Sequence, residues 1–316
     1  MNPTLKIAIK NDISSVDKML AKIIKPESKL SFDVYKQVID SGKRLRPLIV
    51  LYSALSLGYD KRETSILLGC IVELIHTASL LHDDIIDDAT FRRGRPSANN
   101  IFGTKPAVLG GDYLYSLAFN MVLDFNVAIA KVISKAAYLL AEGEIKEIES
   151  AFKLDIGQDE YYDIIYKKTA VLLEASSVSG CLLVDSAYRD AFERYGKYLG
   201  FAFQIKDDCL DYEAESESLG KNAGVDLREG KITLPVLNAI KKDASFAAKI
   251  GRFFKEKDEK LLKDIMDGVR RNGLKDAVSE AERFANKAKE SLKDVPKGKY
   301  KDYLLAVADY AVERKR

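Results

Sequence analysis

The chain is short of the side chains on which much enzyme chemistry rests. Its 316 residues include only two histidines, His76 and His82, and three cysteines, Cys70, Cys181 and Cys209. The cysteines are scattered and show no CxxC spacing. That excludes a thiolate zinc site and a disulfide framework, and it suits small buried thiols in a reducing cytosol. No serine has an obvious partner, so a nucleophile–base arrangement is also missing. Charge of one sign is lacking too: 50 Lys and Arg stand against 48 Asp and Glu, a net charge of +2. A clustered basic face of the kind that binds nucleic acid is therefore not expected. The opening stretch MNPTLKIAIKND has no continuous apolar segment that would make it a targeting signal. The most apolar window, residues 66–81, is interrupted by Glu73 and His76 and looks too short and polar to span a membrane. The expectation is a cytoplasmic protein without a transmembrane segment, one that a greasy substrate could still bring to a membrane surface.

What the chain does have is long, helix-periodic apolar sequence, 47% hydrophobic and with only seven prolines. It can bury a sizeable core. With no short repeat or convincing linker, one domain over residues 1–316 is preferred. Helices are expected over residues 1–25, 31–40 with Ser31 as cap, 47–58 with Pro47 in the first turn, 107–123, 128–148 and 160–180. Gly143 is expected to serve close helix packing. Further helices are expected over 193–212, from about 234, and through most of 246–316. The basic tail, 313–316, has no assigned role.

Residues 66–88, ILLGCIVELIHTASLLHDDIIDD, read as a largely buried helix that ends in Asp83, Asp84, Asp87 and Asp88. A carboxylate at a helix C-terminus costs about 0.3–1 kcal/mol, so four of them there call for a cation. Asp83 and Asp87 lie one turn apart on one face, and His76 falls on the same stripe. Oxygen ligands without cysteine suit magnesium rather than zinc. A solvated acidic helix end would also account for a lone DDxxD. About 120 residues later the design recurs: an apolar helix ends in Asp207, Asp208 and Asp211, with Gln204 on the face of Asp211. Two such ends by coincidence are hard to credit.

Cations accompany these ends. Gly42, Lys43, Arg44 and Arg46 crowd the approach to a helix N-terminus, where phosphate would be the natural guest, although a solvated basic turn would look the same. Arg92, Arg93, Gly94, Arg95 and Pro96 form a loop that either neutralises the aspartates or clamps a second phosphate. Lys168 and Thr169 sit between apolar turns and carry only a weak signal. Lys221, Asp226, Arg228 and Lys231 lie among glycines in what looks like a mobile loop. The inventory suggests two phosphate-bearing substrates, one held by aspartates through magnesium and one held directly by Lys43, Arg46, His76 and Arg93.

Taken in order, GKRLRP (42–47), LLHDDIIDD with RRG (80–94), KT (168–169), FQIKDDCLD (203–211) and GKNAGVDLREGK (220–231) resemble the trans-isoprenyl diphosphate synthases, or polyprenyl synthase family, along essentially the whole chain. The resemblance implies an all-α isoprenoid-synthase bundle around a deep central cavity, usually a homodimer. It implies three Mg2+ ions, with Asp83 and Asp87 as principal ligands and Asp207 and Asp211 supplied by the second motif. Isopentenyl diphosphate would be bound by Lys43, Arg46, His76 and Arg93. The allylic diphosphate would be bound by Arg92, Lys168, Lys221 and Lys231, with Thr169 and Gln204 near the cationic carbon. The implied catalytic set is Asp83, Asp84, Asp87, Lys168, Thr169, Gln204, Asp207, Asp208 and Lys221. Lys206 departs from the family's usual apolar residue; it could pair with Asp207, and the expectation is that it points outward. Ala78 and Ser79 are small where short-product members commonly carry an aromatic residue. An open tunnel with Tyr115, Phe119 or Met121 as its floor would then give a product of twenty-five carbons or more. A short-chain synthase is the alternative, and a non-catalytic subunit of a heteromeric synthase is a remoter one. A class I terpene cyclase fits poorly, since it needs neither GKRLRP nor a second complete DDxxD.

Overall fold

The computed structural model describes residues 3–39, 42–92, 94–184, 187–213 and 224–314. Two expected site residues, Arg93 and Lys221, lie outside these. Helices dominate the described chain, as expected. Among the described residues the only strands are Phe91–Arg92 and Arg95–Pro96, paired antiparallel beside Gly94 at φ 76°. Arg92 and Arg95 of the expected basic loop thus face each other across two short strands. By contacts the chain divides into two compact units. Residues 1–137, 175–193 and 294–304 form the first, and residues 138–174, 194–293 and 305–316 the second.

In the first unit the helix Arg62–Ile86 packs against Thr104–Val122 and Leu45–Ser56. Its apolar positions Leu68, Ile71, Val72, Leu74, Ile75, Ala78 and Leu81 are buried, so its length follows from packing rather than from caps. At 25 residues it is long and apolar enough to cross a membrane, contrary to the expectation from sequence, but most of its apolar stretch is buried inside the protein. Pro47 falls in the first turn of Leu45–Ser56 as expected, and its backbone approaches Gly69 so closely that a Cβ there would sit 2.8 Å from the proline Cα. The second helix begins at Lys29, before the expected cap, and the Ser28 hydroxyl accepts a long hydrogen bond from the Ser31 N–H at 3.5 Å. Ser31 thus lies within the first turn.

Arg44 corrects a further expectation. It precedes Leu45–Ser56 at φ 52° and turns inward, donating from Nε to Asp17 at 2.7 Å, from Nη1 to Glu73 at 3.2 Å, and to the Ile39 carbonyl. Both Arg44 and Glu73 are buried. Arg44 is thus a strut of the fold rather than part of an anion-binding trio. Gly42 leaves it room, since a Cβ there would stand 2.5 Å from Arg44 Nη1.

The second unit is built on two groups of buried residues. Tyr212, Leu227, Val236, Ile250, Phe253, Ile265 and Val269 form one, and Tyr161, Ile165, Phe201, Ile205, Leu234 and Phe284 the other. The Lys168–Thr169 pair is not in regular α-helix. Gln158–Ile165 runs into a π-helical turn, Tyr166–Ala170, before α-helix resumes at Val171. Against this turn lies Gly200 of the helix Arg189–Glu213, where a Cβ would be 2.3 Å from the Ala170 Cα. Only glycine permits that approach.

Two stability experiments follow. Glu73→Ala removes one partner of a buried ion pair and is expected to cost about 3–5 kcal/mol in urea unfolding; a loss below about 1 kcal/mol would mean that Asp17 alone suffices for Arg44. Gly200→Ala is expected to cost about 1–3 kcal/mol by overpacking, and unchanged stability would contradict the close approach to Ala170.

Candidate active site

In the first unit the aspartates of one motif have different surroundings. Asp83 is half-buried and Asp87 exposed. The Asp87 N–H donates to the Asp83 carbonyl at 2.9 Å, so the helical turn joining them is intact and their side chains share a face. Asp84 is buried. Its carboxylate accepts from Arg92 Nε at 2.5 Å, and its carbonyl accepts from Asn99 Nδ2 at 3.1 Å. Arg92, expected on the allylic diphosphate, is thereby anchored through Asp84. Near the helix end, His82 tilts against Tyr115, its Nε2 lies 3.2 Å from the Val108 carbonyl, and a Cβ at Gly111 would collide with its ring. Burial pushes the Tyr115 hydroxyl up to about 12, helped by the negative charge of Asp83. Tyr115 stacks on Phe119 with centroids 6.2 Å apart. Ala78 is buried, Ser79 half-buried with its hydroxyl on the His76 carbonyl at 2.9 Å, and Met121 half-buried. Lys43 is exposed, whereas Arg46 and His76 are half-buried.

In the second unit, residues from three separated motifs meet. Lys168, Gln204, Asp208 and Lys231 line one cavity of about 120 Å³, together with Glu147, Tyr161, Asp226 and Thr233. The π-turn aims the Thr169 hydroxyl at Gln204 Oε1, 2.6 Å away; Gln204 Nε2 donates to Asp208 at 2.9 Å, and the Tyr161 hydroxyl donates to its other oxygen at 2.6 Å. Burial pushes the Asp208 carboxyl up to about 7 against these two hydrogen bonds, and the neighbouring charges of Asp207 and Glu147 add to the rise. Asp226 is raised too, by burial first and then by Asp208 and Asp211. Lys168 Nζ contacts Glu144 at 2.9 Å and Glu147 more closely still, and Lys231 Nζ lies 3.1 Å from Glu147 and 2.7 Å from Glu229.

The remaining second-motif residues are held by partners the sequence did not suggest. Asp207 pairs with Arg314 Nη2 at 2.7 Å, and that guanidinium lies over the Phe203 ring. Part of the basic tail thus reaches the motif. Asp211 accepts from the backbone N–H groups of Gly224, Val225 and Asp226 at 3.0, 3.3 and 3.3 Å, binding the short helix Val225–Arg228 to the motif. Lys206 is buried, not outward, and pairs with Glu213 at 2.6 Å rather than with Asp207. Its four-carbon stem packs inside while Glu213, two turns on, takes the charge. Sequence reasoning missed Glu147, Glu144, Tyr161 and Arg314. The only signal was the i, i+3 spacing of Glu144 and Glu147 beside Gly143, where a Cβ would come within 2.7 Å of the Lys168 nitrogen.

Among the described residues no three His, Cys, Asp or Glu side chains converge as a metal cluster. Magnesium does not need one, since it is held by one or two carboxylates, retained waters and substrate phosphates. The hard-oxygen pair Asp83 and Asp87, on one helix face, fits that pattern.

A model of the Polyprenyl synthetase family matches residues 28–269. The octaprenyl diphosphate synthase of Haemophilus influenzae is 38% identical over 279 residues, covering 86% of this chain and 84% of the relative. Among solved structures, a decaprenyl diphosphate synthase from Rhodobacter capsulatus superposes with a TM-score of 0.92 at 34% identity, covering 99% of both chains. A polyprenyl synthase from Caulobacter crescentus, complexed with calcium and isoprenyl diphosphate, gives 0.89 at 34% identity, covering 99% of this chain and 97% of that one. With its motifs in family order and an all-α isoprenoid-synthase fold, this chain belongs to the polyprenyl synthetase family.

Proposed function

We propose that the chain is a trans-polyprenyl diphosphate synthase. It condenses an allylic diphosphate head-to-tail with isopentenyl diphosphate and repeats the step to a product of twenty-five carbons or more. The observation that carries this reading is the gathering of Lys168, Gln204, Asp208 and Lys231 around one cavity, with Thr169 bonded to Gln204. A pair of ammonium groups beside an acceptor relay suits a diphosphate whose carbon–oxygen bond is to break. The names of the similar proteins, octaprenyl and decaprenyl diphosphate synthases, support a long product.

Lys168 and Lys231 neutralise charge that develops on the departing pyrophosphate, which is electrostatic catalysis aimed at the transition state. Lys168 stays protonated despite burial because Glu147 and Glu144 outweigh both burial and the repulsion of Lys231. The Thr169 and Gln204 oxygens stabilise the allylic cation, and the double bond of isopentenyl diphosphate attacks it. The released pyrophosphate takes the proton, so no protein base is required. Asp83 and Asp87 in the first motif, and Asp207 and Asp211 in the second, are the residues that would hold magnesium, three ions in all, which supplies Lewis-acid assistance to a leaving diphosphate. Lys43, Arg46, His76 and Arg93 hold isopentenyl diphosphate, and Arg92 and Lys221 join the allylic site. Ala78 and Ser79 leave room for a growing chain that stops at Tyr115, Phe119 or Met121.

The whole chain, 1–316, acts as one synthase domain and as a homodimer in the cytoplasm. The helix Val127–Ser150 exposes Val127, Tyr138, Ile145 and Ile148, an apolar stripe suited to a second copy. All three cysteines are buried and free, which accords with a reducing compartment.

Purified protein alone, given Mg2+, radiolabelled isopentenyl diphosphate and farnesyl diphosphate, is expected to yield polyprenyl diphosphates of twenty-five carbons or more on chromatography. Products that stop at fifteen or twenty carbons would refute the long-chain assignment, and no product at all would point to a non-catalytic subunit. Ser79→Phe is expected to shorten the product, and unchanged length would remove Ser79 from the tunnel wall. Lys168→Ala is expected to lower kcat about 100-fold, by loss of one preorganised donor to the leaving group; a change below threefold would exclude it.

A further inference from the structure

Lys168 and Lys231 come from distant stretches of the chain, yet both ammonium groups rest on the same carboxylate. Glu147 receives Lys168 directly and Lys231 at 3.1 Å, with its own side chain only 17% exposed. Each lysine also has a carboxylate to itself, Glu144 at 2.9 Å for Lys168 and Glu229 at 2.7 Å for Lys231. Burial works to raise the Glu147 carboxyl, but the two lysines outweigh it and hold it below the ordinary carboxylate range, so Glu147 is charged at neutral pH. Both ammonium groups meet at one carboxylate oxygen, Oε2, as they could at one phosphoryl oxygen in the same place.

We propose that Glu147 is an internal anion that competes with diphosphate for Lys168 and Lys231 and so sets how readily pyrophosphate leaves after each condensation. This rests on the assignment of those two lysines to the allylic diphosphate. A synthase that repeats its step must clear one pyrophosphate per cycle. Departure from two neighbouring, largely buried ammonium groups would strand like charges side by side. Glu147 takes the lysines back and removes that obstacle. The sign of its effect follows from the private partners. Glu144 and Glu229 stay beside the two lysines when Glu147 is neutralised, so what Glu147→Gln removes is a negative charge facing the incoming anion.

The test is calorimetric titration of pyrophosphate, with Mg2+, into the full-length protein and its variants. Glu147→Gln is expected to tighten pyrophosphate binding about tenfold, the scale of one charge removed at close range in a partly screened site. Steady-state turnover should fall while the single-turnover rate of the first condensation holds. Glu147→Asp draws the carboxylate back by one methylene while keeping its charge, and is expected to tighten binding by less. Unchanged or weaker pyrophosphate binding in either folded variant overturns the proposal and makes Glu147 a positioning residue or a structural one. Lys168→Ala separates the two levels. Weakened pyrophosphate binding there supports the lysine assignment independently, whereas unchanged binding overturns that assignment and this inference with it.

Discussion

A charge taken out of water must bring its partner with it, and the arrangement of both units follows from that requirement. Arg44 goes in with Glu73, Asp84 with Arg92, Lys206 with Glu213, and Lys168 and Lys231 with Glu147. These pairs divide the motif residues into two kinds. Arg44 and Asp84 are buried struts, whereas Asp83 is half-buried and Asp87 exposed. Motifs that look uniform in one letter code are therefore mixed in function. In each DDxxD it is the second carboxylate, Asp84 or Asp208, that is buried. In GKRLRP it is the first arginine that turns in.

Backbone geometry does the rest of the positioning. Lys168 and Thr169 sit on a π-turn, a feature that recurs at functional sites because one extra residue per turn re-aims the side chains. The turn is held by glycine on two sides, Gly143 toward Lys168 and Gly200 toward Ala170. The result is a continuous hydrogen-bonded line from Thr169 through Gln204 to Asp208, closed by Tyr161. Asp208 carries little freedom in that setting. Its carboxyl accepts from both sides, and burial lifts its proton affinity toward neutrality.

Much of this was legible in the sequence because helical periodicity and motif spacing are local properties. The buried run before Asp83, the repeat of the acidic end near Asp207, and Pro47 in a first turn could all be read along the chain. Gly143, expected to serve close helix packing, lies against the Lys168 backbone. What escaped was long-range pairing of side chains. Nothing near Lys206 announces Glu213 as its partner, and nothing near Asp207 announces Arg314, more than a hundred residues away. Nothing near Glu147 announces Lys231 as its partner. The capping error at Ser31 had a different cause: Ser28 offers a hydroxyl one turn earlier, and two serines three apart cannot be ranked from composition.

Lys168 and Lys231 are proposed to act on one diphosphate, and a double-mutant cycle tests that most directly. The quantity to measure is the Mg2+-dependent affinity for a non-ionisable allylic diphosphate analogue in the wild type, Lys168→Ala, Lys231→Ala and the double variant. Lysines that share a ligand are predicted to show a coupling energy above about 1 kcal/mol; losses that add to within about 0.5 kcal/mol would mean two independent sites and would contradict the account.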